Sequence, residues 1–529
     1  MFTKKILLIL IFIAITARFI KLDWAPPHLS NDEIGAAYAA YSISKTLKDG
    51  SNEFLPILWQ SHGGYGSPLA VYIPLASIVI FGNNDFAVRL PSAILGSLTI
   101  IFIGFLVKEL TKNDKLALVT SFLLAVSPWH FSASRWALES NYALFFIVLG
   151  IYLFFLGLNK NKQWATVAGF VSFALSIYSY YTEWILTPLI VLSLIFFYRT
   201  TILKKKIYYF AILLFGILLI PIFVNFIQNM GSSRASSEFI SKDIAIRRLL
   251  AEHPKPIEKG QIILKAMLDK YSSYSSLDYL FFNGAKILPK ENPYQFGFFL
   301  TPFVFAFIWG LYKLKNHYKG NGSFIYFLLI ISPLVAAMTE GELNNWRSLP
   351  QLLPVALTCA SGTLFVWDFI KKNFWLKSLG IGFLLISFMY FFLVYFRHFP
   401  LQRAIGYQYG YKQIALYISE HYDEYEKIII DQRFGDKNYY YIGVPSSYIP
   451  FYTYLDPVKV QNPKILPNGI AFAKYEFRNI NWNGEKIRKN YLYVVPYDII
   501  PNPEYDLKSV KEINLPNWQP AFKLYSLAN

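Results

Sequence analysis

The chain is short of charge and almost without cysteine. Charged residues fill 16% of its 529 positions, against about 25% in ordinary soluble domains, too few to clothe a water-facing globule of this size. The single cysteine, Cys359, excludes an internal disulfide and any zinc or CxxC spacing. It sits inside an apolar block, where a thiol serves packing or faces lipid. No P-loop, GxGxxG or HExxH pattern occurs, so cytosolic nucleotide chemistry has no support. Internal repeats and low-complexity tracts are also missing. What remains is apolar: 54% hydrophobic and 19% aromatic, gathered in long blocks. That excludes a disordered chain and a coiled coil, and leaves a multi-span membrane protein. Lys+Arg 50 against Asp+Glu 33 gives +17. In a soluble protein this excess suggests nucleic acid; in a membrane protein it sits in cytoplasmic loops and sets topology.

A span needs roughly 17–25 apolar residues. Blocks near 6–20, 86–107, 116–131, 141–158, 164–181, 185–198, 207–227, 296–312, 324–338, 352–370 and 378–396 meet or approach that length. About eleven transmembrane helices are therefore expected. The first lacks a small-x-small cleavage pattern near Ala17, so it reads as an uncleaved anchor. Lys4/Lys5, Lys108 to Lys115, Lys160/Lys162, Arg199 to Lys206, Lys313 to Lys319 and Lys371 to Lys377 form every second connection. Placing these inside puts the N-terminus in the cytoplasm of a multi-pass cell-membrane protein. The apolar segment Ser67–Phe81 is short, and counting it as a span inverts all later loops; it reads as a juxtamembrane helix. Outer loops then cover about 21–85, 132–140, 228–295 and 339–351. Residues 1–396 form the transmembrane domain. Residues 397–529 are more polar, with a helical stretch Gln413–His421 and β-rich runs Lys427–Asp431, Tyr439–Val444 and Tyr491–Val495. They read as a small extracytoplasmic α/β domain.

Chemistry concentrates in those loops. His28-Leu-Ser-Asn-Asp32-Glu33 carries two adjacent carboxylates fit for a general base or a cation. The same spacing reads as a capping box, Ser30 with Glu33, and Asp32 in a first helical turn favoured by the dipole. Ser127-Pro-Trp-His130 leads to Arg135 and Glu139, four apart, in the poorer order for a helical ion pair. Snorkelling is the ordinary use of Arg135; an ionisable group at a span end is also a functional candidate. Arg234 lies in Gly231-Ser-Ser-Arg-Ala-Ser-Ser237, and Arg347 precedes an outer span end. Both can meet an anionic ligand or stay solvated. His62 and Tyr65, in Ser61-His-Gly-Gly-Tyr65, are candidates for a substrate cavity.

Taken in order, Asn31-Asp32-Glu33, Ser67-Pro-Leu-Ala-Val-Tyr-Ile-Pro74, Phe81-Gly-Asn-Asn-Asp-Phe-Ala-Val-Arg-Leu-Pro91 and Ser134-Arg-Trp-Ala-Leu-Glu139 resemble the GT-C superfamily of polyprenyl-phosphate-sugar-dependent glycosyltransferases. The nearest branch holds the protein O-mannosyltransferases and the aminoarabinose transferases of lipid A. The resemblance is clearest over about residues 1–160 and is topological beyond. It implies a polyprenyl-phosphate-linked sugar donor and a protein, lipid or glycan acceptor. It also implies that Asp32 is the catalytic carboxylate and that Glu139 is a second acid of the same cavity, with Glu33 alongside. Relatives often carry a Lys before the Pro of the juxtamembrane helix; here Ser67 stands before Pro68. Phosphate binding then falls to Arg135, Arg234 or Arg347. Asp32 and Glu139 leave open a divalent cation (Mg2+ or Mn2+). A transporter or flippase of lipid-linked sugars is the alternative, although paired halves and midplane helix breaks are not visible. The aromatic load suits interfacial belts and sugar stacking alike.

Overall fold

The computed structural model describes residues 4–61, 64–228, 238–253, 255–285, 296–434 and 443–527. They form two compact units that do not follow chain order. One holds residues 1–20, 67–69 and 92–393; the other holds 21–66, 70–91 and 394–529. Residues 21–66 and 70–91 therefore fold with the C-terminal segment.

Among the described residues six helices are long and apolar enough to cross a membrane: Asp85–Thr111, Glu139–Lys160, Glu183–Ile202, Lys206–Ile227, Leu349–Ile370 and Phe374–Arg403. These are six of the eleven expected blocks. The other five are helical too but shorter: Lys4–Thr16, Asp114–Ala125, Gln163–Ser179, Phe303–Tyr318 and Gly322–Ile331, at 10 to 17 residues. The Pro68–Phe81 helix has 14 residues. At 1.5 Å per residue it reaches about 21 Å, short of the roughly 30 Å hydrocarbon core.

Within the first unit, small residues let helices approach. A Cβ at Gly310 would meet the Thr358 carbonyl, and one at Gly362 the Ala306 carbonyl. This is the close crossing that small residues permit between apolar helices. Gly362→Val is expected to lower stability by about 1–3 kcal/mol through overpacking, read as heat unfolding in detergent. Gly382→Val, where a Cβ meets open space, should leave it unchanged. Basic connections also gather at one end. Lys4 and Lys108 pair with Asp114, at 3.0 and 3.2 Å. Lys112 and Lys160 pair with Glu109, at 2.6 and 3.4 Å.

The second unit is built on a seven-stranded sheet. Its strands are β3 (Lys427–Ile430), β4 (Lys464–Leu466), β5 (Gly469–Phe472), β6 (Tyr475–Arg478), β7 (Tyr491–Pro496), β8 (Leu507–Asn514) and β9 (Pro520–Leu527). A separate hairpin joins β1 (Trp59–Ser61) to β2 (Gly64–Gly66). The sheet order is β4-β5-β6-β3-β7-β9-β8. Central β3 runs parallel to β6 and β7, and the remaining pairs are antiparallel. A parallel strand buried on both faces reads as a near-continuous apolar run, and Tyr491–Pro496 is buried at every position. The expected β runs at 427–431 and 491–495 and the helix at 413–421 appear, the helix as Tyr411–Glu420. Of the run Tyr439–Val444, residues 439–442 lie outside the described ones, and Gly443 and Val444 are not strand.

The Asn31–Thr46 helix of this unit meets the Pro445–Tyr452 helix and the loop after it. Tyr448 donates from its hydroxyl to the Leu29 carbonyl at 2.6 Å. Asn83 donates through Nδ2 to the Phe451 carbonyl at 2.8 Å, and Gln461 Nε2 to Thr46 Oγ1 at 2.8 Å. Buried amide and hydroxyl groups are thus satisfied between segments almost 400 residues apart, so the C-terminal segment holds the first loop in shape.

Candidate functional site

In the second unit, the helix that begins at Asn31 is fixed at its start. Ser30 is its N-cap: the Ser30 Oγ accepts the Glu33 N–H at 3.3 Å, and Glu33 Oε2 accepts the Ser30 N–H at 2.8 Å. This is the capping box read from the sequence. Glu33 is fully buried and bound by Arg89, also fully buried. Arg89 Nε donates to Glu33 Oε1 at 2.8 Å and Nη2 to Oε2 at 3.0 Å. The rest of the guanidinium donates to the carbonyls of Leu22, Pro26 and His28. One planar fork therefore ties four parts of the segment leading into the helix, which a lysine's point charge cannot do.

Asp32 is left in the opposite condition. It is exposed and makes no side-chain hydrogen bond or ion pair among the described residues. Two adjacent carboxylates thus receive two different environments: Glu33 holds the loop, and Asp32 stays available at a helix N-terminus, where the dipole favours negative charge.

Beneath them, the His28 ring lies 4.9 Å from Tyr448 and 5.9 Å from both Tyr409 and Tyr452. Asp85 accepts from Tyr452 at 2.6 Å and from Lys412 at 3.1 Å. Burial pushes His28 down from its ordinary 6.5 to about 4, assisted by the positive charges of Lys412 and Arg89 and opposed by Asp85. The folded state thus holds a neutral imidazole where the unfolded chain takes a proton. Above pH 6.5 both states are neutral and stability is flat in this group. Between pH 6.5 and 4 only the unfolded chain binds the proton, so stability falls by up to about 3 kcal/mol. Unfolding temperatures measured across that range should show the fall, and His28→Phe should flatten it.

In the first unit, the 127–139 segment is a short helix and a turn. Ser127 caps the Pro128–Ala133 helix by accepting the His130 N–H at 3.2 Å. Arg135 is fully buried in the following turn and donates to the carbonyls of Ala17 and Arg18, at 3.0 and 2.9 Å. Arg18 is equally buried and donates to Ser134, Ala14 and Ala125. Both guanidiniums flank Phe131, 5.2 and 5.5 Å from its ring. Arg135 thus serves the last carbonyls after the first helix, a C-terminal cap role. Glu139 opens the next helix, so Arg135 and Glu139 lie on different elements rather than one helical face.

Glu139 and Arg347 share a neighbour. Tyr180 lies within electrostatic reach of both, and its ring centre lies 4.6 Å from that of Tyr181, tilted by 54°. Arg347 stands 6.0 Å over Tyr181, pairs with Glu238, and donates to the Glu340 carbonyl at 2.9 Å. Lys270 lies within electrostatic reach of Arg347 and donates to the Thr339 carbonyl at 2.6 Å. Glu183, two residues after Tyr181, is fully buried and receives hydroxyl bonds from Thr182 and Thr187, at 3.3 and 3.1 Å.

Of the other sequence candidates, Tyr65 lies on β2 opposite Gln60. His62 and Arg234 fall outside the described residues. Among the described residues no three His, Cys, Asp or Glu side chains gather as a metal-ligand group. Arg89 and Glu183 were not singled out by sequence. Arg89 stands in the Phe-Ala-Val-Arg-Leu-Pro stretch, and a charge at the border of an apolar block was the available signal for both.

Residues 65–224 match the family described as dolichyl-phosphate-mannose-protein mannosyltransferase. The match includes Arg89, Arg135 and Glu139 and begins after Asp32. An uncharacterized protein of Aquifex aeolicus is 24% identical over 502 residues, 93% of this chain and 94% of its own length. Among solved structures, ArnT from Cupriavidus metallidurans bound to undecaprenyl phosphate aligns with a TM-score of 0.57 at 11% identity, over 98% of this chain and 97% of that one. The archaeal oligosaccharyltransferase AglB from Archaeoglobus fulgidus, in complex with an inhibitory peptide and a dolichol-phosphate, aligns with a TM-score of 0.51 at 12% identity. That alignment covers 84% of this chain and 63% of AglB.

Proposed function

We propose that this chain is a membrane glycosyltransferase of the GT-C superfamily, which its family-model match and its fold support, and that it moves a sugar from a polyprenyl-phosphate donor to an acceptor hydroxyl at the outer membrane face. The observation that carries this reading is the division of labour at the head of the Asn31–Thr46 helix. Glu33 is consumed by Arg89, while Asp32 is exposed and unpaired among the described residues.

In this reading the acceptor oxygen attacks the anomeric carbon as its proton passes to Asp32. The carbon–oxygen bond to the phosphate breaks, the sugar inverts, and polyprenyl phosphate leaves. A phosphate leaving group needs no proton, so one general base suffices. It needs positive charge as the bond breaks, for which the sequence offers Arg135, Arg234 and Arg347. Arg135 is less suited, because its guanidinium already serves carbonyls. Glu139 acts as a second acid toward the acceptor. The gathering of Lys4, Lys108, Lys112 and Lys160 at one end of the first unit supports a cytoplasmic N-terminus, with the C-terminal domain outside.

A flippase for lipid-linked sugars accounts for the membrane helices but gives no use to a carboxylate held open beside one that is locked. The discriminating experiment offers purified protein in lipid vesicles a panel of polyprenyl-phosphate sugars with peptide, lipid and glycan acceptors. Transfer of label to an acceptor is the expected result. Movement of the donor between leaflets with no transfer on any acceptor overturns the proposal in favour of the flippase.

A further inference from the structure

The first unit carries a pair of helices, Ile244–Glu252 and Pro256–Ser275, whose outward faces are apolar. On the longer one, Ile257, Leu264 and Leu268 are spaced by seven and four residues and form a single stripe. They are 77%, 56% and 57% exposed. The same helix turns Ile262, Ile263, Ala266 and Met267 to its half-buried side, so its inner face is already used. On the shorter helix Ile244 is 71% exposed, and no residue is buried. A water-facing helix does not spend large apolar side chains this way; such a stripe marks a surface that meets something else.

What it meets follows from its anchorage and its charge. Tyr271 donates from its hydroxyl to the carbonyl of Ile330 at 2.9 Å. Ile330 belongs to an apolar helix and is itself 58% exposed. Lys270 holds the turn beyond that helix through the Thr339 carbonyl. The longer helix therefore sits beside the end of an apolar helix that itself exposes a large apolar side chain. Flanking the apolar residues, Arg247, Arg248 and Lys265 are exposed and make no ion pair among the described residues. From 242 to 270 seven Lys or Arg face four Asp or Glu. Exposed apolar side chains bordered by unpaired cations are the composition of an interfacial helix on an anionic bilayer.

We infer that the helices Ile244–Glu252 and Pro256–Ser275 form a lipid-binding paddle. It lies in the headgroup layer, with Ile244, Ile257, Leu264 and Leu268 entering the acyl boundary and Arg247, Arg248 and Lys265 meeting phospholipid phosphates. Its base carries Lys270 beside Arg347, so seating the paddle steadies that cationic cluster.

The test uses the full chain with Cys359→Ala and a single cysteine at 257, 264 or 259, spin-labelled and reconstituted into vesicles. The vesicles are phosphatidylcholine alone or its mixture with phosphatidylglycerol. In the mixture, labels at 257 and 264 should be severalfold more accessible to oxygen than to a water-soluble nickel chelate, and the label at 259, on the other side of the helix, should show the reverse. Triple reversal of Arg247, Arg248 and Lys265 to Glu should return 257 and 264 to water while the protein stays monodisperse. Water-exposed labels at 257 and 264 in both lipids overturn the paddle. Equal insertion in both lipids overturns its anionic preference, and spin–spin broadening between labels overturns it in favour of a second copy of the chain. None of these readouts depends on sugar transfer, so the paddle and the proposed enzyme stand or fall separately.

Discussion

Asp32→Asn should lower sugar transfer by about a thousandfold, the middle of the range a positioned general base supplies. The substitution keeps the shape and one hydrogen-bonding oxygen but removes the basic site. Because Asp32 is exposed and has no bonded partner among the described residues, the fold loses only the favourable charge at a helix start, about 0.3–1 kcal/mol. Donor binding should therefore survive, and the loss should appear in kcat rather than in KM, as expected when an interaction acts only in the transition state. Turnover within threefold of wild type, with the protein folded, removes Asp32 from the role and leaves Glu139 as the described acid to test next. Glu33 offers an internal contrast. Glu33→Gln should reduce activity together with thermal stability, since it strips the charge partner from a buried guanidinium.

The second large effect lies in that pair. Arg89→Leu should cost about 3–5 kcal/mol, because it leaves the Glu33 carboxylate buried without its cation. It also takes the donor from three carbonyls, at Leu22, Pro26 and His28, each of which adds to the penalty. Glu33→Leu alone should fall in the same range. The double variant should be more stable than the sum of the two losses, since no lone charge remains; the recovered difference is the coupling energy of the pair. Heat unfolding in one detergent supplies all four numbers. Single losses below about 1 kcal/mol would mean that the segment is held elsewhere, through the Tyr448 and Trp24 bonds to Leu29 and Phe396.

Much of this molecule could be read without coordinates. Length and polarity of blocks are local properties, so each apolar block indeed became a helix, and the capping box at Ser30 appears with both of its bonds. The strands at 427–430 and 491–496 likewise follow from short β-branched and aromatic runs. Helix lengths were less legible: five blocks end sooner than hydropathy suggests. A polar break such as Asn113 caps a helix because its side chain accepts the N–H groups of Lys115 and Leu116.

What the sequence by itself determined is the solvent of the protein and the kind of chemistry in its loops. Both depend on composition and on spacing within one turn or strand. Only the tertiary structure decided which charges are buried in bonds and which stay exposed. Glu33 and Asp32 are neighbours with the same functional group, and the difference between them is made by Arg89, 56 residues away. Arg135 looked available because it stands at a span end, yet Ala17 and Arg18 occupy it from 118 and 117 residues away. The C-terminal segment looked separate because its composition changes, yet Tyr448 and Asn83 join it to the first loop. A charge is neutralised, desolvated or left free by groups brought to it through the fold, and those long-range partners have no signature in local sequence.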